Sequence, residues 1–241
     1  MTTALFALIT TLLFALLNEG FQRWRIVNAR FDAQQRMNRS LSWLVRDLEK
    51  ADADQVRVKR VNAPGNGDML WFLSADDPSQ ASADMRFIRD TATGLPSWQR
   101  TILYYLIRPA NYSKVSQGYT PGIDADPRND YYAPHKFLIR KVVDDPSTPE
   151  ALMNAATADS YVTAPADHDL SLLAAEPRVD QCRLVADGLL SFEATLYDRT
   201  IELDVRAVHI QNAERVVSIG SVSLKNSRFT QHQRIRVVMK Q

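Results

Sequence analysis

The sequence predicts an α+β protein in which one long N-terminal helix packs on an antiparallel β-sheet head. Two observations lead to this class. The first 17 residues carry no charged side chain, and apolar residues then recur at helical spacing. Further along, short segments alternate apolar and polar residues as strands do. The predicted organisation is a transmembrane or assembly helix over 1–20, an amphipathic helical stalk over 21–53 and a β-rich head over 54–241.

The composition excludes several function classes. Of the 241 residues, 45% are hydrophobic and 24% are charged, which is ordinary for a folded chain. The formal net charge of +1 gives no field that would recruit nucleic acid, so no nucleic-acid partner is expected. Cys182 is the single cysteine, so an intrachain disulfide and a multi-cysteine metal site are excluded. We interpret Cys182 as a small, buried apolar residue.

The N-terminal run MTTALFALITTLLFALL decides the class of protein. As a helix it would be about 26 Å long, which is at the short limit for a bilayer span. A cleaved secretory signal and a buried core helix are the alternatives, but nothing basic precedes the run and a good cleavage site is lacking. We favour a membrane anchor or assembly helix. The predicted anchor residues are Leu5, Phe6, Leu8, Ile9, Leu12, Leu13, Phe14, Leu16 and Leu17.

The apolar pattern continues past this run as a stripe along one helix. The predicted stalk-packing residues are Val27, Phe31, Met37, Leu41, Leu44 and Leu48. The last four are spaced 4, 3 and 4 residues apart, which places them on one helical face. No proline precedes Pro64, and Gly20 weakens the helix by only about 1 kcal/mol relative to alanine. We therefore expect one nearly continuous helix from about residue 2 to about residue 53.

The head is predicted from short apolar or alternating segments. The predicted strands are 55–61, 69–73, 101–107, 137–143, 191–196, 201–210, 216–224 and 234–239. Residues 80–90 fit a strand or a short helix. Two long loops, at about 109–135 and 144–167, are rich in turn-forming residues.

Catalytic and metal-binding patterns are weak. Asp124, Asp126 and Asp130 could offer hard oxygen ligands to Ca²⁺, but Pro127 and the lack of a closing glutamate depart from a calcium loop. A plain solvated loop is the favoured interpretation. The four histidines are scattered, and the motifs GxSxG, GxGxxG and the P-loop do not occur. We expect no enzyme activity, no cofactor and no resident metal.

Four stretches give the chain a resemblance to a known family. Met37 to Leu48 ends in the pattern LxxLxRDL, which contains Asp47. Tyr104-Tyr105-Leu106 matches Y-x-L, and Leu138-Ile139-Arg140 matches L-x-R. Val185 to Tyr197 resembles V-x-x-L-x-F-x-x-Y, and Leu224-Lys225-Asn226 is similar to a closing L-R-N. With its long first helix, the chain resembles type IV pilins and type II secretion pseudopilins, notably the J-type pseudopilin and the W-type minor pilin.

The resemblance implies a structural subunit that initiates or caps a type IV pilus or a type II secretion pseudopilus. Its implied partners are other minor pilins or pseudopilins, the filament subunit and membrane lipid. Its implied location is the bacterial inner membrane, single-pass, with the head in the periplasm or on an extracellular filament. If Met1 begins the mature chain, Leu5 replaces the glutamate of the family at position five, which implies a minor role and not a shaft role.

Two alternatives stay open. Arg23, Arg25 and Arg30 follow the apolar run and would place the head in the cytosol under the positive-inside rule, unless a basic leader precedes the run. A single-span, membrane-anchored periplasmic binding or sensor ectodomain is the alternative function. A sensor would be expected to have a second span or a cytosolic signalling domain, and no other apolar run approaches eighteen residues.

Overall fold

The protein combines one long helix with an antiparallel sheet, which makes it an α+β protein as predicted. This architecture comes from a computed structural model. The residues that it describes are 2–61, 67–76, 87–107, 136–148, 151–162, 173, 175–208, 210–212, 215–216 and 230–239.

Helix α1 spans Thr2–Leu48 and has a length of about 70 Å. Gly20 does not interrupt it, and a Cβ added there would meet no atom within 4 Å. The helix ends five residues before the predicted end of the stalk. The backbone N–H of Ala51 donates to the carbonyl of Leu48 at 3.1 Å, and a 3₁₀ turn over Ala53–Gln55 then leads into the head.

The head is built on a seven-stranded antiparallel sheet with the order β1-β2-β3-β4-β5-β6-β9. A separate two-stranded sheet pairs β7 with β8. The strands are β1 Val56–Val61, β2 Gly67–Ser74, β3 Arg100–Ile107, β4 Lys136–Val143, β5 Val179–Tyr197, β6 Thr200–Val208, β7 Ile210–Asn212, β8 Arg215–Val216 and β9 Thr230–Val238.

Both faces of strands β2 to β4 are buried. Phe72 and Tyr104 belong to the core cluster that includes the second half of α1, whereas Trp71 and Tyr105 belong to a cluster on the opposite face. A second layer, which includes Met153, covers that opposite face, and the Trp71 Nε1–H donates to the Met153 carbonyl at 3.0 Å. Strands covered on both sides read as continuous apolar runs, which explains MLWFL and TILYYLI.

The sheet curls, so β2 approaches β5 although the two strands are not paired. A Cβ added to Gly67 would lie 2.9 Å from both the Phe192 carbonyl oxygen and a Leu106 methyl carbon, so this approach requires glycine. Next to it, the Asp68 carboxylate accepts the backbone N–H of Ala194 at 2.7 Å. Burial raises the pKa of Asp68, although that N–H and Arg60 oppose the shift.

Two elements differ from the sequence predictions. A short helix, α2 over Ala155–Tyr161, lies inside the predicted loop 144–167 and is capped by Asn154, whose side chain accepts the Thr157 N–H. Strand β5 begins twelve residues before the predicted 191–196 segment. Gly188 has a φ of 66° and the pairing register shifts nearby, which breaks the alternation in the first half of β5. The predicted loop 109–135 lies outside the described residues, as do most of 80–90 and 216–224.

We expect the Leu44→Ala variant to lower the free energy of unfolding by about 2–5 kcal/mol, because the side chain of Leu44 on α1 is fully buried in the core that the helix forms with the sheet. Phe31→Ala, on the exposed side of the same helix, is the control and should change it by less than about 0.5 kcal/mol. Urea unfolding of the detergent-solubilised chain measures both. Equal losses would contradict this packing.

Candidate membrane and assembly interface

The first half of α1 is an apolar surface that the head does not cover. All nine predicted anchor residues are between 51% and 74% exposed. Among the described residues, α1 is the one helix that is long and apolar enough to cross a membrane, so it could form a single span. The hydroxyls of Thr10 and Thr11 donate to the carbonyls of Phe6 and Ala7 at 2.8 Å, which satisfies them without water.

Above this run, four large side chains form what we term the distal apolar stripe. Its members, each 61–64% exposed, are Phe21, Trp24, Val27 and Phe31. Val27 and Phe31, two of the predicted stalk-packing residues, are exposed and do not pack on the head. Each lies two residues from a buried alanine, Ala29 or Ala33, and two residues turn a helix by about 200°. The stripe therefore faces away from the head.

The second half of α1 packs its other face on β5, β6 and β9. Contact begins with the small side chains of Ala29 and Ala33, which lie against the head before larger residues take over. The predicted stalk residues Met37, Leu41, Leu44 and Leu48 are all buried in the main core. The first half of α1 is thus apolar and exposed, whereas its second half contributes to the core of the head.

A buried charged cluster fixes the end of α1 to the sheet; we term it the Asp47 clamp, consisting of Asp47, Tyr104 and Arg140. Asp47 and Arg140 are only 1% and 2% exposed. The Arg140 Nε–H donates to Asp47 Oδ2 at 2.6 Å, and the Tyr104 hydroxyl donates to the same oxygen at 2.7 Å. Arg46 donates to Asp47 Oδ1 at 3.2 Å, and Gln181 accepts a further Arg140 N–H.

The charge states of the clamp follow from its surroundings. Burial and then the Asp47 charge raise the pKa of Tyr104 well above its ordinary value, so the phenol remains a hydrogen-bond donor. Burial alone would lower the pKa of Arg140, but the charge of Asp47 and the hydrogen bonds outweigh it and raise the pKa. A carboxylate, a neutral phenol and a guanidinium therefore satisfy one another inside the protein.

The clamp connects α1 to strands other than those that its apolar face mainly contacts. Tyr104 lies in β3 and Arg140 in β4, whereas the helix packs on β5, β6 and β9. The neighbouring residue in β4, Lys141, points to the opposite face, where its Nζ donates to the Tyr161 carbonyl at 2.7 Å and to Glu176 at 2.5 Å. Arg140 and Lys141 thus place buried cations, each with its own acceptors, on opposite faces of β4.

The clamp residues stand in three of the motifs noted in the sequence, RDL, Y-x-L and L-x-R. Each motif was visible separately, but sequence reasoning did not bring them together. A charged residue within an otherwise buried strand was the available signal, because a buried charge needs a partner.

The other candidate residues form no comparable site. Asp124, Asp126 and Asp130 lie outside the described residues. The described part of the chain contains no group of three or more histidine, cysteine or acidic side chains that could hold a metal ion. Cys182 is half-buried, and burial raises the pKa of its thiol, which is the opposite of what activates a cysteine nucleophile.

Comparisons of the chain with protein-family models, with curated proteins and with solved structures give no match. The fold and the interface define the class on their own: an α+β head carried on one helix that could be a single membrane span.

We expect Asp47→Asn to lower the free energy of unfolding by about 3–5 kcal/mol, because it leaves the buried Arg140 guanidinium without its counter-charge. Glu49→Gln is the matched control, because Glu49 is exposed and lies just after the end of α1. It should cost less than about 0.5 kcal/mol.

The double variant Asp47→Asn with Arg140→Met should recover part of this loss, because no unpaired charge remains. Chemical unfolding of the parent, the single variants Asp47→Asn and Arg140→Met and the double variant gives the coupling energy. The clamp has no energetic role if Asp47→Asn costs no more than Glu49→Gln.

Proposed function

We propose that the protein is a minor pilin or pseudopilin, a structural subunit that initiates or caps a type IV pilus or a type II secretion pseudopilus. In this proposal residues 1–20 anchor it in a bacterial inner membrane as a single pass, with the head in the periplasm or on an extracellular filament. Its partners are other minor subunits and the filament subunit, each of which contributes an apolar first helix.

The observation that carries this proposal is the distal apolar stripe. Phe31 lies 14 residues beyond the end of the uncharged run at Leu17, a distance of about 21 Å along the helix. A helix that serves only as a membrane anchor does not require exposed aromatic side chains this far beyond the uncharged run. Neighbouring apolar helices in a bundle would cover them and gain about 25 cal/mol for each Å² of apolar surface buried.

The Asp47 clamp supports the same proposal. A filament subunit must transmit force and position from its helix to its head, and a hinge at the junction would prevent this. The clamp holds the end of α1 against β3 and β4 while the apolar face holds it against β5, β6 and β9. The alternative, an anchored binding or sensor ectodomain, gives the distal apolar stripe no role.

The test is co-purification from native bacterial membranes with the tagged chain and two helix variants. Trp24→Ala removes a stripe residue, and Gln22→Ala is the control on another face of the same turn. We expect the parent and the Gln22→Ala variant to recover partner subunits with apolar first helices. The Trp24→Ala variant should recover at least about tenfold less, because a buried tryptophan dominates such contacts.

Membrane retention should be equal for all three proteins, because the anchor is intact. Recovery of a monomer that binds a small ligand, without helical partners, would contradict the proposal and favour the binding ectodomain. Loss of the Trp24→Ala variant from the membrane fraction would show that the distal apolar stripe acts as part of the membrane anchor and not as an assembly surface.

A further inference from the structure

A second surface lies next to the Asp47 clamp, around the half-buried Trp43. Trp43 is part of α1 and packs against the main core. Three guanidinium groups lie around its ring, with distances from the guanidinium carbon to the ring centroid of 3.9 Å for Arg46, 4.8 Å for Arg183 and 5.7 Å for Arg140. We term Trp43, Arg46 and Arg183 the Trp43 patch. Arg140 lies beneath it.

The patch carries more positive charge than its surroundings neutralise. Three guanidinium groups meet one carboxylate, Asp47, whose two oxygens already accept from Arg46, Arg140 and Tyr104. Two positive charges remain. Arg183 is exposed and lies directly across the ladder from Arg140, a like-charge pairing that costs stability. Among the described residues, the Arg183 side chain forms no ion pair and lies over the Trp43 ring.

Stacking on the indole also prepares these side chains for binding. A guanidinium held over a ring has lost part of its rotamer freedom, so less entropy remains to be lost when it meets a ligand. Arg39 lies four residues before Trp43, on the same helical face, and adds a further exposed cation. Tryptophan and arginine are the residues that dominate the energetic centres of protein interfaces.

We propose that the Trp43 patch is a docking surface for an acidic segment of a partner protein, with aspartate or glutamate carboxylates bound by Arg183 and Arg46. Planar guanidinium groups bind carboxylates through two parallel hydrogen bonds, and Arg183 has no carboxylate partner among the described residues. A second copy of this chain would bring the same basic patch and would be repelled. The inference rests on this surface alone and does not depend on the filament role.

The experiment measures the anisotropy of a labelled hexaglutamate peptide with the full chain in a neutral detergent. Arg183→Gln should weaken binding about tenfold, because one charged hydrogen-bonding group is lost. Arg199→Gln is the matched control, since Arg199 is exposed in the turn between β5 and β6, at the far end of β5 from Arg183. It should bind as the parent does. A hexaglutamine peptide should not bind, and added salt should weaken hexaglutamate binding.

Arg183→Lys keeps the charge but loses the planar fork, so it should bind with an affinity between those of the parent and Arg183→Gln. Unchanged unfolding midpoints show that all variants are folded. Equal weakening by Arg183→Gln and Arg199→Gln, or no hexaglutamate binding by the parent, would overturn the proposal. Inorganic phosphate that binds the parent and displaces the peptide would overturn it in favour of a phosphate ligand.

Discussion

The buried pair of Asp47 and Arg140 is the constraint on which the rest of the structure depends. Taking two charges out of water is costly, and their attraction offsets that cost only when geometry and additional hydrogen bonds are good. Here Tyr104, Arg46 and Gln181 supply those bonds. Apolar packing alone would tolerate a sliding or rotated helix, whereas this network is satisfied in one position only. The pair therefore specifies how α1 lies on the sheet more than it adds to stability.

Because the helix is fixed in this way, its two faces take different roles. The face that begins at Ala29 belongs to the core of the head, and the face that carries Trp24 and Phe31 is directed away from it. Thus the head determines which apolar side chains a membrane or a neighbouring helix can reach. The Trp43 patch lies at the same junction, so a partner bound there would contact both the helix and β5. The surfaces to which we assign anchoring, assembly and docking thus all involve one helix, α1.

The sequence predicted the parts of the fold that periodicity encodes. The uninterrupted helix and strands β2 to β4 were found because their apolar residues form long runs or regular stripes. Helix α2 was missed because it is short and buries a single alanine, Ala158. Val27 was predicted as a stalk-packing residue, and the sequence could not show that the head leaves it exposed, because an apolar residue is not by itself evidence of which neighbour covers it. The clamp was not predicted, since its members lie 57 and 93 residues apart in sequence and only the curled sheet brings them together.

The central claim, that α1 and the head form one rigid unit, is tested most directly by a distance measurement between spin labels. Labels at Gln22→Cys and Thr195→Cys, in a Cys182→Ser background, report on the protruding helix and on the head, since both sites are exposed. Double electron–electron resonance in nanodiscs should give a single narrow distance distribution that broadens when Asp47→Asn is added. A broad distribution in the protein with Asp47 intact would show that the helix pivots on the head and would contradict the account.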